Sequence, residues 1–228
     1  MIKRHYKKST DYIEKHRFIL LLVATLLVLV LPSFARIGIF RDILFLASLS
    51  FLFIQSMIVA TTRKSKRIYL RFTVVISMII LFWLDPLGLH LPALNEIRLV
   101  LLSLFFVFIT YYLLKFMRNA ERVNGNVIIT AVNIYLLMGI IFASLAFLFY
   151  RVLPGAYNFP DNITDPGFVH FNYYSFVTMS TVGYGDITPR IPQTQTLAFL
   201  IAVTGQLYVA IIIAFLVGKL LMHPNKDD

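Results

Sequence analysis

Six long apolar runs alternate with short polar connections along the chain, at 18–34, 43–60, 72–84, 97–117, 127–150 and 196–222. Most approach the roughly 20 residues that a helix needs to cross the hydrocarbon of a bilayer. The third is shorter, and "IYLR" before it can extend it by a turn. Lipid offers no partner to an open backbone N–H or C=O, so a helix is the expected form of each run. A further apolar piece, "FVHFNYYSFVTMS" at 168–180, is too short to span. It leads into "TVGYGD", which has neither helical period nor strand alternation. Such backbone is tolerated at membrane depth only where it is buried in protein or lines a water-filled cavity. The short piece is therefore expected to dip in as a helix, with 181–186 climbing back out in extended form. A Gly-rich turn in a surface loop is the competing reading.

The hydrophobic share of 59% lies above the roughly half that is usual for soluble domains. With no cysteine, disulfides, thiolate chemistry and Cys-based metal sites are excluded. A net charge of +10 would suggest nucleic acid in a soluble protein, but here the basic residues flank apolar runs and read as an orientation signal. With the N-terminus inside, only Arg36, Arg41, Arg98, Arg151 and Arg190 of the 21 Lys and Arg residues fall outside. Both termini are then cytoplasmic, and the 151–195 connection faces out. The first run, with its basic leader and "SFA", also fits a signal peptide, but a first transmembrane helix is the expected reading. With so short a leader and tail no cytosolic ligand-binding domain is expected, and no two-halves repeat of the transporter kind is visible. The five histidines have no metal-ligand spacing, and no nucleotide-binding glycine loop follows a strand. Neither an enzyme, a cofactor nor a nucleic-acid partner is expected.

The glycines in "TVGYGD" have a physical use. Gly183 and Gly185 can take positive φ. Alternating left- and right-handed residues turn successive carbonyls to one side of the strand, and several copies around an axis make stacked oxygen rings. Such rings can replace the hydration shell of a monovalent cation. Thr181 would add a hydroxyl ring at the inner end. Val182 and Tyr184 would pack behind, with the tyrosine hydroxyl bonded to the short helix.

Residues 127–222, with "TVGYGD" between a short apolar helix and a full span, resemble the pore domain of tetrameric potassium channels. The resemblance implies an all-α integral membrane protein: six transmembrane helices, a re-entrant pore helix and a selectivity filter, assembled as a homotetramer among membrane lipids. It implies a multi-pass protein of the cell membrane that conducts potassium passively. The carbonyls of Thr181, Val182, Gly183 and Tyr184, with the Thr181 hydroxyl, would hold K+, and Gly185 completes the strand. Asp186 would sit behind the outer mouth, bonded to a pore-helix side chain. Tyr173 and Tyr174 stand where many relatives carry a tryptophan pair, and Val177 where some bacterial channels place a glutamate. "TGQLYVAIIIAFLVGKL" resembles the inner helix, with Gly205 at the gating-hinge position. Ile213 or Phe215, chosen by position alone, would close it. A potassium transporter component would need several filter-like repeats in one chain. A non-conducting scaffold or regulatory subunit is the other alternative.

The chain then divides into a basic leader (1–17), a four-helix scaffold (18–117), a linker (118–126), the pore domain (127–222) and a tail (223–228). Four spans before a pore invite comparison with voltage sensors, where each charge crossing the field is worth about 2.3 kcal/mol per 100 mV. Between Arg98 and Lys115 the fourth span has no charge, and Asp42 and Asp85 lie near span ends. The front half reads as a sensor-like scaffold without sensing charge. The short "RNAERVNGN" linker favours a tight turn, which would place each scaffold beside its own pore domain. Asn133 and Gln55 read as interhelical hydrogen-bonding groups, and Gln206 equally as one of these or as pore lining. Asp161 and Asp165 fit a solvated loop, or rings that concentrate cations. "NIT" at 162–164 matches the glycosylation pattern with little specificity. His170 reads as packing, or as a group sensing outer pH. The basic clusters at 3–8 and 63–67 set topology, with anionic-lipid binding as the lesser reading.

Overall fold

The computed structural model describes residues 2–34, 39–61, 68–84 and 92–222. The apolar runs form helices whose bounds extend into their polar flanks: α1 (Ile2–Val30), α2 (Ile39–Ala60), α3 (Ile68–Trp83), α4 (Pro92–Asn119), α5 (Gly125–Val152), α6 (Phe168–Met179) and α7 (Pro192–Met222). Pro92 and Pro192 open α4 and α7 at the first helical position, where an N–H would lack a partner in any case. Among the described residues, α1, α2, α4, α5 and α7 contain stretches long and apolar enough to cross a membrane. The "IYLR" stretch is helical, as α3 starts at Ile68, but this helix of 16 residues is shorter than the other five. The basic side chains at 3–8, the segment 63–67, Asp85 and the tail 223–228 lie outside the described residues.

The chain divides into two compact units, 1–90 and 91–228. In the first unit, α1 packs on α2 and α2 on α3. On α1, Phe18, Leu21, Ala24 and Val28 form one buried stripe, while Ile19, Val23 and Leu26 on the other faces are exposed. A helix apolar all round with only one stripe covered suits a lipid environment. The Trp83 indole N–H of α3 donates to Ser50 Oγ of α2 at 3.0 Å. The Arg71 guanidinium donates to the Ala60 carbonyl, a cation placed where the α2 dipole favours one.

In the second unit, α4 buries Leu99, Leu102, Phe106, Ile109, Leu113 and Met117, spaced by three or four residues, and packs on α5. Ser103 and Ser144 meet across the two helices at 2.6 Å. Arg151 of α5 reaches Glu96 of α4 at 3.3 Å. Arg98 is buried, with its guanidinium donating to the Asn95 side-chain Oδ1 at 2.8 Å, and Lys115 is exposed. The connection to α5 is a tight turn in which the Asn124 side chain accepts the Val127 N–H at 3.1 Å, capping α5. Asn133 is buried on α5, and Gln55 is buried on α2 of the first unit.

Helix α6 packs against α5 and α7. The connection that carries it is closed by a short antiparallel pair, β1 (Tyr157–Asn158) with β2 (Thr188–Pro189). The Arg190 N–H and the Thr194 hydroxyl both donate to the Ala156 carbonyl at 2.9 Å, fixing the start of α7 to this loop. Deeper in, Tyr208 of α7 donates its hydroxyl to the Ala131 carbonyl of α5 at 2.6 Å, and its ring lies 5.9 Å from that of Tyr135. Hydrogen bonds between membrane helices average about 0.6 kcal/mol and reach about 1.7. Tyr208→Phe is therefore expected to lower the thermal midpoint of the detergent-solubilised protein by a few degrees, and an unchanged midpoint would remove this bond from the account of α5–α7 packing.

Candidate functional site

The site begins with the way α6 is seated. Phe171 is fully buried in a cluster of rings, with Phe147, Tyr150, Tyr157 and Phe159 at centroid distances of 5.1–5.7 Å. Aromatic pairs of this geometry add about 0.5–1.5 kcal/mol each beyond area burial. Tyr174 joins the cluster edge-on to Tyr157 at 5.4 Å. Burial, and then the neighbouring Tyr174 phenol, push the Tyr157 phenol above its usual range. One turn on, the Ser175 hydroxyl donates to the Gly139 carbonyl of α5 at 2.8 Å. The Phe176 ring lies where a Cβ on Gly139 would be, 2.2 Å away. Gly139 thus lets ring and backbone meet directly. The sequence signal for it was a single glycine inside an apolar span, easily read as ordinary span composition. At the other end of α6, His170 accepts the Gly167 N–H on Nδ1 at 3.1 Å, so its observed role is to cap the helix.

The carboxyl end of α6 sets up the 181–186 segment. The Val182 N–H reaches back to the Val177 carbonyl at 3.1 Å, and the Thr181 N–H to the Thr178 carbonyl at 3.0 Å. This is the Schellman pattern, which places Thr181 in the left-handed position usually held by glycine. Its φ is +60°, in a β-branched residue. Such a conformation costs on the order of 1–3 kcal/mol and persists only where surrounding structure over-determines it. Gly183 and Gly185 follow with φ +54° and +78°, while Val182 and Tyr184 between them do not take positive φ. The backbone therefore alternates in hand over five residues. The glycines were legible in the sequence, but the left-handed Thr181 was not, since nothing in a threonine announces it. Val177 contributes through its carbonyl, which also accepts the Gly183 N–H at 3.2 Å.

At the outer end, the Tyr173 hydroxyl donates to Asp186 Oδ2 at 2.7 Å, and the Tyr173 ring lies parallel to that of Tyr184 at 6.5 Å. The two tyrosines of the pair thus diverge: Tyr173 holds the 181–186 segment, and Tyr174 faces the ring cluster. Tyr184 meets α6 through its ring, and it remains 71% exposed in the single chain. Tyr173→Phe keeps the ring stack and removes a hydrogen bond to a charged acceptor, worth about 1.5–3 kcal/mol. Amide exchange at 185–187 is expected to rise by about tenfold or more, the equivalent of 1.4 kcal/mol. No change in protection there would show that the bond does not hold the segment.

At the inner end, Gly205 of α7 brings its backbone against the end of α6, so that a Cβ there would lie 2.1 Å from the Met179 carbonyl oxygen. Helix α7 runs unbroken through this point. The adjacent Gln206 carboxamide places Nε2 at 3.4 Å from Thr181 Oγ1. Ile213 is exposed, and Phe215 is half-buried with the Lys219 ammonium over its ring at 5.1 Å. Asp161, Asn162, Thr164 and Asp165 are exposed in the loop before α6. Among the described residues no group of His, Asp and Glu is arranged to hold a metal ion.

Residues 134–221 match the family model described as "Ion channel". Over this region the chain is similar to ion-channel domains. The match begins in α5, includes α6 and the 181–186 segment, and ends in α7. No curated protein and no solved structure matches the chain. The channel domain and the apolar helices together support a multi-pass membrane protein that transports ions.

Proposed function

We propose that the protein is a potassium-selective channel formed by four copies of this chain, each contributing one strand of 181–185 to a shared filter. The observation that carries this reading is the alternation of hand at Thr181, Gly183 and Gly185. Alternation turns the carbonyls of Thr181, Val182, Gly183 and Tyr184 toward one side, and rings of such oxygens replace the water around a potassium ion. Two features of the single chain support an assembly. The span of α7 is only 17% buried, although its mean hydropathy is 2.5. Val182 and Tyr184 are 53% and 71% exposed beside a polar backbone. Neighbouring copies would cover both.

Conduction is passive, with ions moving by knock-on between adjacent sites. Tyr173 and Asp186 brace the outer end of the filter, while α7 lines the inner cavity and gates, with Ile213 or Phe215 forming an apolar constriction. Bending at Gly205 would require its contact with Met179 to open. Voltage dependence is weak, because no charge lies between Arg98 and Lys115 to cross the field. Packing of α4 on α5 within one chain supports a fourth helix that stays with its own pore. In the cell membrane both termini face the cytoplasm, as the distribution of basic residues favours. Purified protein in liposomes, compared under potassium and sodium gradients, tests the proposal: potassium flux well above sodium flux is expected. Equal fluxes would overturn the selectivity, and no flux of either ion would favour a non-conducting scaffold.

A further inference from the structure

The contact between α7 and the inner end of the 181–186 segment has a polar component that a gating helix does not need. Gln206 is exposed in the chain, as is Thr181, so both face the same open space. The Gln206 Nε2–Thr181 Oγ1 distance is 3.4 Å, a long hydrogen bond with the amide donating and the hydroxyl oxygen accepting. Register is not left to chance. The preceding residue, Gly205, brings its backbone against the α6 carboxyl end, with space for no side-chain atom before the Met179 carbonyl. Gln206 is therefore held at a fixed height beside Thr181.

The carboxamide has two ends. With Nε2 at Thr181, Oε1 on the same carbon is the end of the carboxamide left over from this contact, on a residue that is exposed. An amide oxygen there is a hydrogen-bond acceptor for ion-bound water, or a direct ligand for a hard cation. We propose that Gln206 is a further cation-coordinating residue, whose carboxamide oxygens form a layer beneath the Thr181 hydroxyls that receives a hydrated alkali cation, or a divalent cation of similar size, before it enters the filter. The inference rests on the channel reading above and assigns its cytoplasmic entrance. The amide N–H holds the Thr181 hydroxyl oxygen in place, and the amide oxygen takes over part of the water shell as the ion is stripped. An uncharged oxygen ring suits this task, since a carboxylate ring would bind a divalent cation too tightly to release it.

Ba2+ applied from the cytoplasmic side of a planar bilayer is the probe, because it is a hard divalent cation close in size to K+. Gln206→Leu is expected to weaken internal Ba2+ block by about fivefold to tenfold, up to the 1.4 kcal/mol equivalent of tenfold. K+ should still permeate in preference to Na+, because the filter carbonyls are untouched. Gln206→Glu is expected to strengthen block by more than tenfold, an effect that a merely structural glutamine would not produce. Unchanged block in both variants of a potassium-selective channel would overturn the inference and leave the channel reading intact. Loss of K+/Na+ selectivity in Gln206→Leu would overturn it in favour of a structural role. An inactive unsubstituted protein would overturn the channel reading, and this assignment with it.

Discussion

Gly205→Ala is expected to abolish assembly of a stable conducting protein. The added methyl would sit 2.1 Å from the Met179 carbonyl oxygen and 2.9 Å from its carbon, inside any permitted contact. These are backbone atoms at the end of α6, so no side-chain rotation relieves the clash. Overpacking of this kind typically costs about 1–3 kcal/mol, and more where the surroundings cannot move. In the proposed tetramer each of the four subunits would carry that cost. Gly218→Ala on the same helix is the control, because a Cβ there meets nothing within 4 Å. Replacing glycine by alanine in a helix interior is by itself favourable by about 0.8–1.0 kcal/mol. Gly218→Ala should therefore assemble and conduct normally. Size-exclusion chromatography and liposome flux measure both. If Gly205→Ala assembles normally and changes only the open probability, the close approach is not what demands a glycine, and a hinge would account for it better.

Gly183→Ala is expected to abolish potassium selectivity or current. Here the cost is conformational, because a Cβ at Gly183 meets nothing within 4 Å, yet φ is +54°. An L-residue with a Cβ pays roughly 1–2 kcal/mol to stay left-handed. The alternative is to relax to negative φ, which turns the adjoining peptide and takes its carbonyl out of the ring. Either outcome changes the oxygens an ion meets. Relative K+, Rb+ and Na+ permeabilities from reversal potentials measure the effect. Selectivity equal to that of the unsubstituted protein would rule out 181–185 as the filter.

The two substitutions separate what could be read along the chain from what could not. The apolar runs and the "TVGYGD" segment were legible because their rules are local. Lipid penalises every unpaired backbone group, so each long apolar run becomes a helix whatever its neighbours. Paired glycines at alternate positions permit an alternation of hand that other residues resist. Helix ends were less legible: α4, α5 and α7 start before their apolar runs, because proline at the first turn and an asparagine cap act on a few residues that hydropathy does not see.

Tertiary structure alone decided which residues hold the segment in place. Gly139 under the Phe176 ring joins α5 to α6, and the ring cluster around Phe171 draws on α5, α6 and the loop between them. Gly205 was legible as a glycine in a helix, but its contact with Met179 belongs to two separate helices. The left-handed Thr181 depends on a helix end that reaches back to Val177 and Thr178. Membrane solvation acts on every residue by its own chemistry, so topology is written in composition and order. Close approach depends on which backbones happen to meet, and that emerges only when helices far apart in sequence pack side by side.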